Sequence, residues 1–205
     1  SLLPLLFETA PRWPGLVAET LFWLLTCCYA VITLKLQSQR RRRVRDATLS
    51  FFRLGMVTLL IAALFSLASL LSPTVFLSQE SGDYLRMLSV LTLLLGFAMS
   101  VIQGMLYKII PFLVWFHLFR GEIHTANIRI PNMKEIILER WMWWHLKLHG
   151  ITLLAALLAT RWDWAAWLVE LGLLLQGILL GYAVFTGISV YRNTLERIEQ
   201  ASTTG

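Results

Sequence analysis

Residues Phe51–Leu71 read FFRLGMVTLLIAALFSLASLL, a run of 21 residues with one charged side chain, Arg53, near its start. A helix that crosses a hydrocarbon layer of about 30 Å needs about 20 apolar residues, because it rises about 1.5 Å per residue. Backbone N–H and C=O groups in lipid must be hydrogen-bonded within their own segment. The run therefore predicts a transmembrane α-helix.

Four other stretches of the chain have the same apolar character. We predict membrane spans at residues 16–36, 51–71, 85–110, 142–160 and 165–190. Hydrophobic types make up 57% of the 205 residues and charged types 15%, and the mean hydropathy is +0.66. Soluble domains average about 45–50% apolar and about 25% charged residues. The sequence therefore predicts an all-α fold, a single polytopic transmembrane helix bundle over residues 1–205 with five spans.

The positive charges predict how this bundle is oriented. Of the 18 Lys and Arg residues, 15 flank the first connection, the third connection or the C-terminal end, and three fall on the opposite side. The positive-inside rule places the basic side in the cytoplasm, so the N-terminus is outside and the C-terminus inside. We expect the net charge of +6 to reflect this topology. The expected partner is therefore the lipid bilayer and not nucleic acid.

The N-terminal segment bears on how the chain is inserted. Residues Ser1–Phe7 are apolar but short, and no basic region precedes them, so they make a poor signal peptide. A chain with its N-terminus outside and an odd number of spans is awkward to insert without such a signal. We therefore expect the chain to be the C-terminal part of a longer membrane protein, or to have had an N-terminal segment removed.

Two segments, residues 111–119 and 131–141, are predicted to lie along the cytoplasmic boundary of the membrane. Pro111 lacks a backbone donor and clashes with the preceding turn, so it should kink or end the third helix there. Pro131 can open a second, interfacial helix that leads into the fourth span. The predicted apolar face of that helix comprises Met133, Ile136, Ile137 and Trp141.

Small residues recur at four-residue steps on two of the predicted helices. Residues this far apart share a helix face, so each stripe forms a groove in which another helix can approach closely. Intramolecular packing and contact with a second copy or another membrane subunit both remain open for these grooves. The residues concerned are Gly96, Ser100 and Gly104, together with Thr92, on the third helix, and Gly177 and Gly181 on the fifth.

The histidines are candidate site residues, and all of them fall between residues 117 and 149. His145 and His149 are spaced i,i+4 on the fourth span, so both rings project from one face. Such a pair can chelate one copper or zinc ion, whereas the two axial ligands of a haem approach from opposite faces of the ring. A bis-histidine haem would therefore need His117 or another chain. Hydrogen bonding within the bundle and contact with a quinone or lipid headgroup are the alternatives, and His124 is expected to be solvated.

The stretch Gly104–His117 (GMLYKIIPFLVWFH), followed by IPNMK from Ile130 and ERW from Glu139, resembles bacterial polytopic membrane proteins related to haem–copper oxidase subunit I and NnrS-type proteins. The resemblance covers roughly residues 85–150. It implies a bacterial inner (cytoplasmic) membrane location and a haem b or copper site at His117, His145 or His149. The His-x-His motif of the oxidases is absent, so the resemblance does not extend to oxygen or nitric oxide reduction.

Three functions remain open at this point. The first is a non-catalytic membrane subunit or a fragment of a larger bundle, because phosphate-binding loops, nucleophile elbows and metalloprotease motifs are all missing from the sequence. The second is a redox protein that binds haem b or copper. The third is a small-molecule transporter that depends on Glu170 or Gln176, since polar residues within spans are costly and often functional.

Overall fold

The computed structural model describes residues 13–39, 46–75, 79–121 and 131–204, without the side chains of residues 71–75, 79, 120–121 and 201–204. These residues are almost entirely helical, and none of them lies in a strand. His124 and the basic residues 40–45 lie outside the described ranges. The all-α prediction is therefore confirmed for the part of the chain that the structure describes.

The helices follow one another with short connections. A π-helical segment, Thr92–Ala98, joins α3 to α4 without a break, and a 3₁₀ turn, Asp163–Ala165, precedes α7. The helices are α1 (Trp13–Ser38), α2 (Ala47–Val75), α3 (Gln79–Leu91), α4 (Met99–Gly121), α5 (Met133–Ile136), α6 (Glu139–Ala159) and α7 (Ala166–Thr204).

Four helices in the described ranges are long and apolar enough to cross a membrane, namely Trp13–Ser38, Ala47–Leu70, Glu80–Phe119 and Asp163–Gln200. They coincide with four of the five predicted spans and are compatible with a multi-pass membrane protein. The predicted span at 142–160 is α6, which is a helix of 21 residues but is not among the four. The polar side chains in its first half, including His145, Lys147 and His149, lower its hydropathy.

Helix α2 lies in the middle of the bundle and packs against α1, α3 and α4. Its contact with the π-helical segment and α4 depends on glycines, because a Cβ on Gly96 would lie 2.6 Å from the Thr58 Cβ, and one on Gly104 would lie 2.9 Å from the Phe51 Cβ. Within this chain, α2 therefore occupies the groove that Gly96, Ser100 and Gly104 form.

Helices α6 and α7 form an antiparallel pair joined by a tight turn. Thr152 of α6 packs against Gly172 near the start of α7. Nearer the start of α6, Met142 packs in the same cluster as Ala183 of α7. At the Cβ positions of Gly177 and Gly181 on α7, no heavy atom of the described residues lies within 4 Å. Among these residues the α7 stripe is therefore open, whereas the α4 stripe is filled.

The structure differs from the predicted boundary segments at both prolines. Helix α4 continues through Pro111 to Gly121, so residues 111–119 do not form a separate element. After Pro131 the helix is short, because α5 ends at Ile136 and the backbone is extended at Ile137. Ile136 and Ile137 are buried beside Phe51 and Tyr107. Two residues of the predicted apolar face, Ile136 and Ile137, therefore pack against the bundle, and the position of the 131–141 segment at the membrane boundary stays a prediction.

Candidate functional site

A cluster of buried polar side chains joins α4, α6 and α7 in the interior of the bundle. We call it the polar cluster, and each member is at most 3% exposed. Such burial in an apolar bundle is costly unless the polar groups are hydrogen-bonded to one another. The members are Ser100, Gln103 and Tyr107 on α4, His145, His149 and Thr152 on α6, and Gln176 on α7.

Gln176 is the hub of the polar cluster and makes three side-chain hydrogen bonds. Its Oε1 accepts from Gln103 Nε2 at 2.7 Å and lies 2.8 Å from His149 Nδ1, and its Nε2 donates to Thr152 Oγ1 at 2.9 Å. The Thr152 hydroxyl in turn donates a hydrogen bond to the Leu148 carbonyl oxygen at 2.8 Å. A single glutamine therefore ties α7 to both α4 and α6.

The partners of His149 determine its tautomer. Gln176 Oε1 is an acceptor, so His149 Nδ1 carries the proton and donates to it. In the neutral ring, Nε2 is then an acceptor, and the Ser100 hydroxyl donates to it across 2.9 Å. Both ring nitrogens of His149 are thereby engaged within the protein.

His145 lies one turn before His149 and bonds to a different residue of α4. Its Nδ1 is 2.7 Å from the Tyr107 hydroxyl. Both imidazole rings lie against Phe51, with ring centroids 5.6 Å away for His145 and 6.2 Å for His149. Both rings therefore project from one face of α6, as predicted, and that face packs against α2 and α4.

Two buried polar atoms of the polar cluster, His145 Nε2 and Gln103 Oε1, have no hydrogen-bond partner among the described residues. Their residues bond through their other polar atoms, His145 to Tyr107 and Gln103 to Gln176. Buried polar groups normally find partners. The side-chain polar atoms of Gln176 and His149 thus all have partners, whereas His145 and Gln103 each keep one polar atom without a partner.

His117 does not join this cluster. It is exposed on α4, its Nδ1 is 2.8 Å from the Leu113 carbonyl of its own helix, and its ring lies against Tyr191. The structure therefore brings His145 and His149 together and leaves His117 elsewhere. The described residues also contain no group of three or more His, Cys, Asp or Glu side chains that could hold a metal ion.

The polar cluster is a poor fit to the haem or copper that the resemblance implies. A metal at His149 would have to replace its bond to either Ser100 or Gln176. His145 offers a free Nε2, but its ring is enclosed at 0% exposure between Phe51 and Tyr107. A haem needs open space on the ligating side of an imidazole ring, and these contacts do not provide it.

The residues named for a transport route are also not brought together. Glu170 is exposed on α7, whereas Gln176 is fully buried and held by its three hydrogen bonds. Glu19 accepts a bond from Ser66 at 3.4 Å and lies 3.7 Å from Arg86, so it links α1 to α2 and α3. These contacts make Glu19 a connector between helices.

A pocket of about 690 Å³ opens beside the polar cluster at the end of the bundle where α2 begins. We call it the boundary pocket. Tyr107, which bonds to His145, forms part of its wall. Its other walls are mainly apolar, and four charged side chains line it as well, Asp46, Lys108, Lys134 and Glu139. The pocket thus combines an apolar interior with a charged rim.

Asp46 on this rim immediately precedes α2. Its Oδ1 accepts bonds from the Thr48 backbone N–H at 2.9 Å and the Thr48 hydroxyl at 2.6 Å, as a helix-capping carboxylate does. Burial acts to raise the pKa of Asp46, but the bonds from Thr48 and the charge of Lys108 outweigh burial and lower it. Asp46 therefore remains an anion whose acceptor atom is already engaged.

Sequence reasoning found part of this site. It singled out His145 and His149 from their spacing, and Gln176 as a polar residue in an apolar span. It missed Ser100 and Tyr107 as histidine partners, although Ser100, Gln103 and Tyr107 recur at i, i+3 and i+7 and so share one face of α4. That polar stripe was the available signal.

Comparison with known proteins found no match to a protein-family model, a curated protein or a solved structure.

Proposed function

We propose that this chain is a five-span protein of the bacterial inner membrane that acts as a non-catalytic membrane subunit and binds an amphiphilic molecule in the boundary pocket. In this proposal α6 is the additional membrane span, the fourth along the chain. Its length of 21 residues corresponds to about 30 Å at about 1.5 Å per residue. Its antiparallel packing with the apolar helix α7 supports a crossing beside it.

The inward direction of the polar side chains supports the same conclusion about α6. His145, His149 and Thr152 are buried against the bundle, whereas Ile151, Leu154 and Leu158 are exposed on the outer surface. Polar residues of membrane helices usually face the bundle interior. The buried polar residues thus account for part of the low mean hydropathy of α6, and the exposed face of its second half is suited to lipid.

Cysteine labelling tests the proposed topology. In a variant with Cys27 and Cys28 replaced by serine, single cysteines at Gln39 and Asp163 probe the two ends of the bundle. We expect a membrane-impermeant maleimide to label Asp163→Cys in intact cells and Gln39→Cys after permeabilisation only. The reverse pattern, or labelling of both from one side, would contradict the orientation.

The boundary pocket is the observation that carries the binding function. Small-molecule sites are concave, mainly apolar and of about 300–1,000 Å³, with a few polar groups that orient the ligand. The pocket has this size, and its charged rim lies at the end of the bundle that the basic residues assign to the cytoplasmic boundary. A molecule with an apolar body and a polar head matches both parts.

A filled-pocket variant tests the binding function. Met105 lines the pocket and is 44% exposed, so Met105→Trp adds bulk there without disturbing a buried side chain. Met87→Trp is the matched control, because Met87 is 46% exposed on α3 and does not line the boundary pocket. Native mass spectrometry of protein from mild detergent should show a bound amphiphile on wild type and Met87→Trp, and much less on Met105→Trp. Equal retention by all three proteins would refute the proposal.

A further inference from the structure

We infer that the amphiphile in the boundary pocket is a phospholipid, whose phosphate is bound by Lys108 and Lys134 while an acyl chain lies along α4; this inference rests on the binding function proposed above. The two lysines come from different parts of the chain, α4 and the short helix α5, and both line the same pocket. Two cations that converge beside an apolar surface are suited to an anionic group carried on an apolar molecule.

The apolar wall of the pocket runs along the axis of α4, which is the direction that an extended acyl chain requires. Met105, Ile109 and Phe112 are spaced i, i+4 and i+7, so they form one stripe along α4. Each of them is 41–45% exposed, which opens the pocket sideways to the surroundings of the bundle. In a membrane these surroundings are lipid, so a chain can enter from the bilayer without passing through the bundle.

The two lysines have positive charge available for a ligand. Both are exposed, and within the part of the chain that the structure describes, neither lies within 4.0 Å of a carboxylate oxygen. Asp46, the acid near Lys108, is engaged by Thr48 at the start of α2. Lysine binds phosphate through its point charge, and this charge interacts more strongly beside apolar walls than in bulk water.

Glu139 is the remaining charged residue on the rim, and its carboxylate gives a further test of the phosphate site. Its Oε1 accepts a hydrogen bond from Trp143 Nε1 at 3.4 Å. A carboxylate repels a phosphate, so Glu139 does not serve as part of the phosphate site. We therefore expect Glu139→Gln to keep or strengthen phospholipid binding, whereas loss of the lysines weakens it.

Binding assays with four probes test the inference on delipidated full-length protein. The probes are phosphatidylethanolamine and phosphatidylglycerol, diacylglycerol with the same acyl chains but no phosphate, and inorganic phosphate without chains. We expect both phospholipids to bind about tenfold more tightly than diacylglycerol, the size expected from two partly exposed ion pairs. Lys108→Gln with Lys134→Gln should abolish this advantage. Lys147→Gln is the matched control, because Lys147 stacks on Trp144 and does not line the pocket.

The outcomes separate this inference from the binding function on which it rests. Diacylglycerol and phospholipids bound equally would overturn the role of phosphate and leave the pocket as an amphiphile site. Failure of all three lipids to bind would overturn both. Displacement of phospholipid by millimolar inorganic phosphate would identify a site for free phosphate and overturn the lipid. Loss of the phospholipid advantage in Lys147→Gln as well would show a general charge effect and overturn the role of the lysine pair.

Discussion

Replacing Gln176 by leucine tests whether the polar cluster holds the helices together. The change keeps a side chain of similar size on α7 and removes its bonds to Gln103, His149 and Thr152. Side-chain hydrogen bonds in membrane proteins contribute about 0.6 kcal/mol on average and about 1.7 kcal/mol at most. Three such bonds predict that Gln176→Leu lowers the free energy of unfolding by about 2–5 kcal/mol.

Unfolding of purified protein in mixed micelles, followed by far-UV circular dichroism as a denaturing detergent is added, measures this change. Thr186→Val is the control, since Thr186 is partly exposed on the same helix and bonds only to the Tyr182 carbonyl one turn earlier. The control should change the free energy of unfolding by less than about 0.5 kcal/mol. A loss below about 1 kcal/mol for Gln176→Leu would refute the role of the polar cluster in stability.

A double-mutant cycle assigns the loss to the specific contact. His149→Leu removes the donor that faces Gln176 Oε1, and in each single variant the other partner remains buried without its bond. The double variant should therefore lose less stability than the two single variants predict together, by about 0.5–3 kcal/mol. Strict additivity would contradict a direct bond between these two side chains.

Three further predictions concern other parts of the bundle. Gly172→Ala places a methyl group against the buried Thr152 of α6 and should destabilise the protein by about 1–3 kcal/mol. Gly177→Ala meets no described neighbour and should be neutral or stabilising by up to about 1 kcal/mol. Unfolding in micelles measures both variants, and equal effects would contradict the α6–α7 packing. The lowered pKa of Asp46 means that its stabilising contribution is present at neutral pH and is lost as the pH falls through that pKa. Asp46→Asn keeps the cap and should remove this acid-dependent part from thermal unfolding curves between pH 7 and 3, and an unchanged curve would contradict the assignment. Ile136→Ala should lower the free energy of unfolding by about 2–5 kcal/mol, because Ile136 is 1% exposed. Leu138→Ala, at a position 51% exposed, should lower it much less in the same assay. Similar losses for the two variants would instead support an interfacial helix whose apolar face contacts lipid.

The sequence was sufficient to predict the helices because the relevant signals are local. A run such as Phe51–Leu71 is helical in lipid wherever its neighbours lie, since its backbone groups bond within the run. The i,i+4 spacing of His145 and His149 likewise places both rings on one face without knowledge of the rest of the fold.

Which groups those faces meet was decided by the tertiary structure. Ser100 and Tyr107 reach the histidines from 49 and 38 residues away, and Gln176 reaches His149 from 27 residues away. Helical periodicity gives the direction of a side chain around its own axis and carries no information on which helix lies opposite. The partners that engage His149, and that count against a metal there, were therefore visible in the fold alone.

The glycine stripes and the isoleucines near Pro131 likewise have sequence patterns that leave their surroundings undetermined. Gly104 and Gly177 belong to equivalent patterns in the sequence. Helix α2 packs against Gly104, whereas no heavy atom in the described part of the chain lies within 4 Å of a Cβ at Gly177. Ile136 and Ile137 satisfy the pattern of an interfacial helix as well as they satisfy burial in the bundle. Apolar side chains are stabilised both by lipid and by the protein interior. Composition therefore determines that such residues leave water. Only the packing of distant helices determines whether lipid or protein surrounds them.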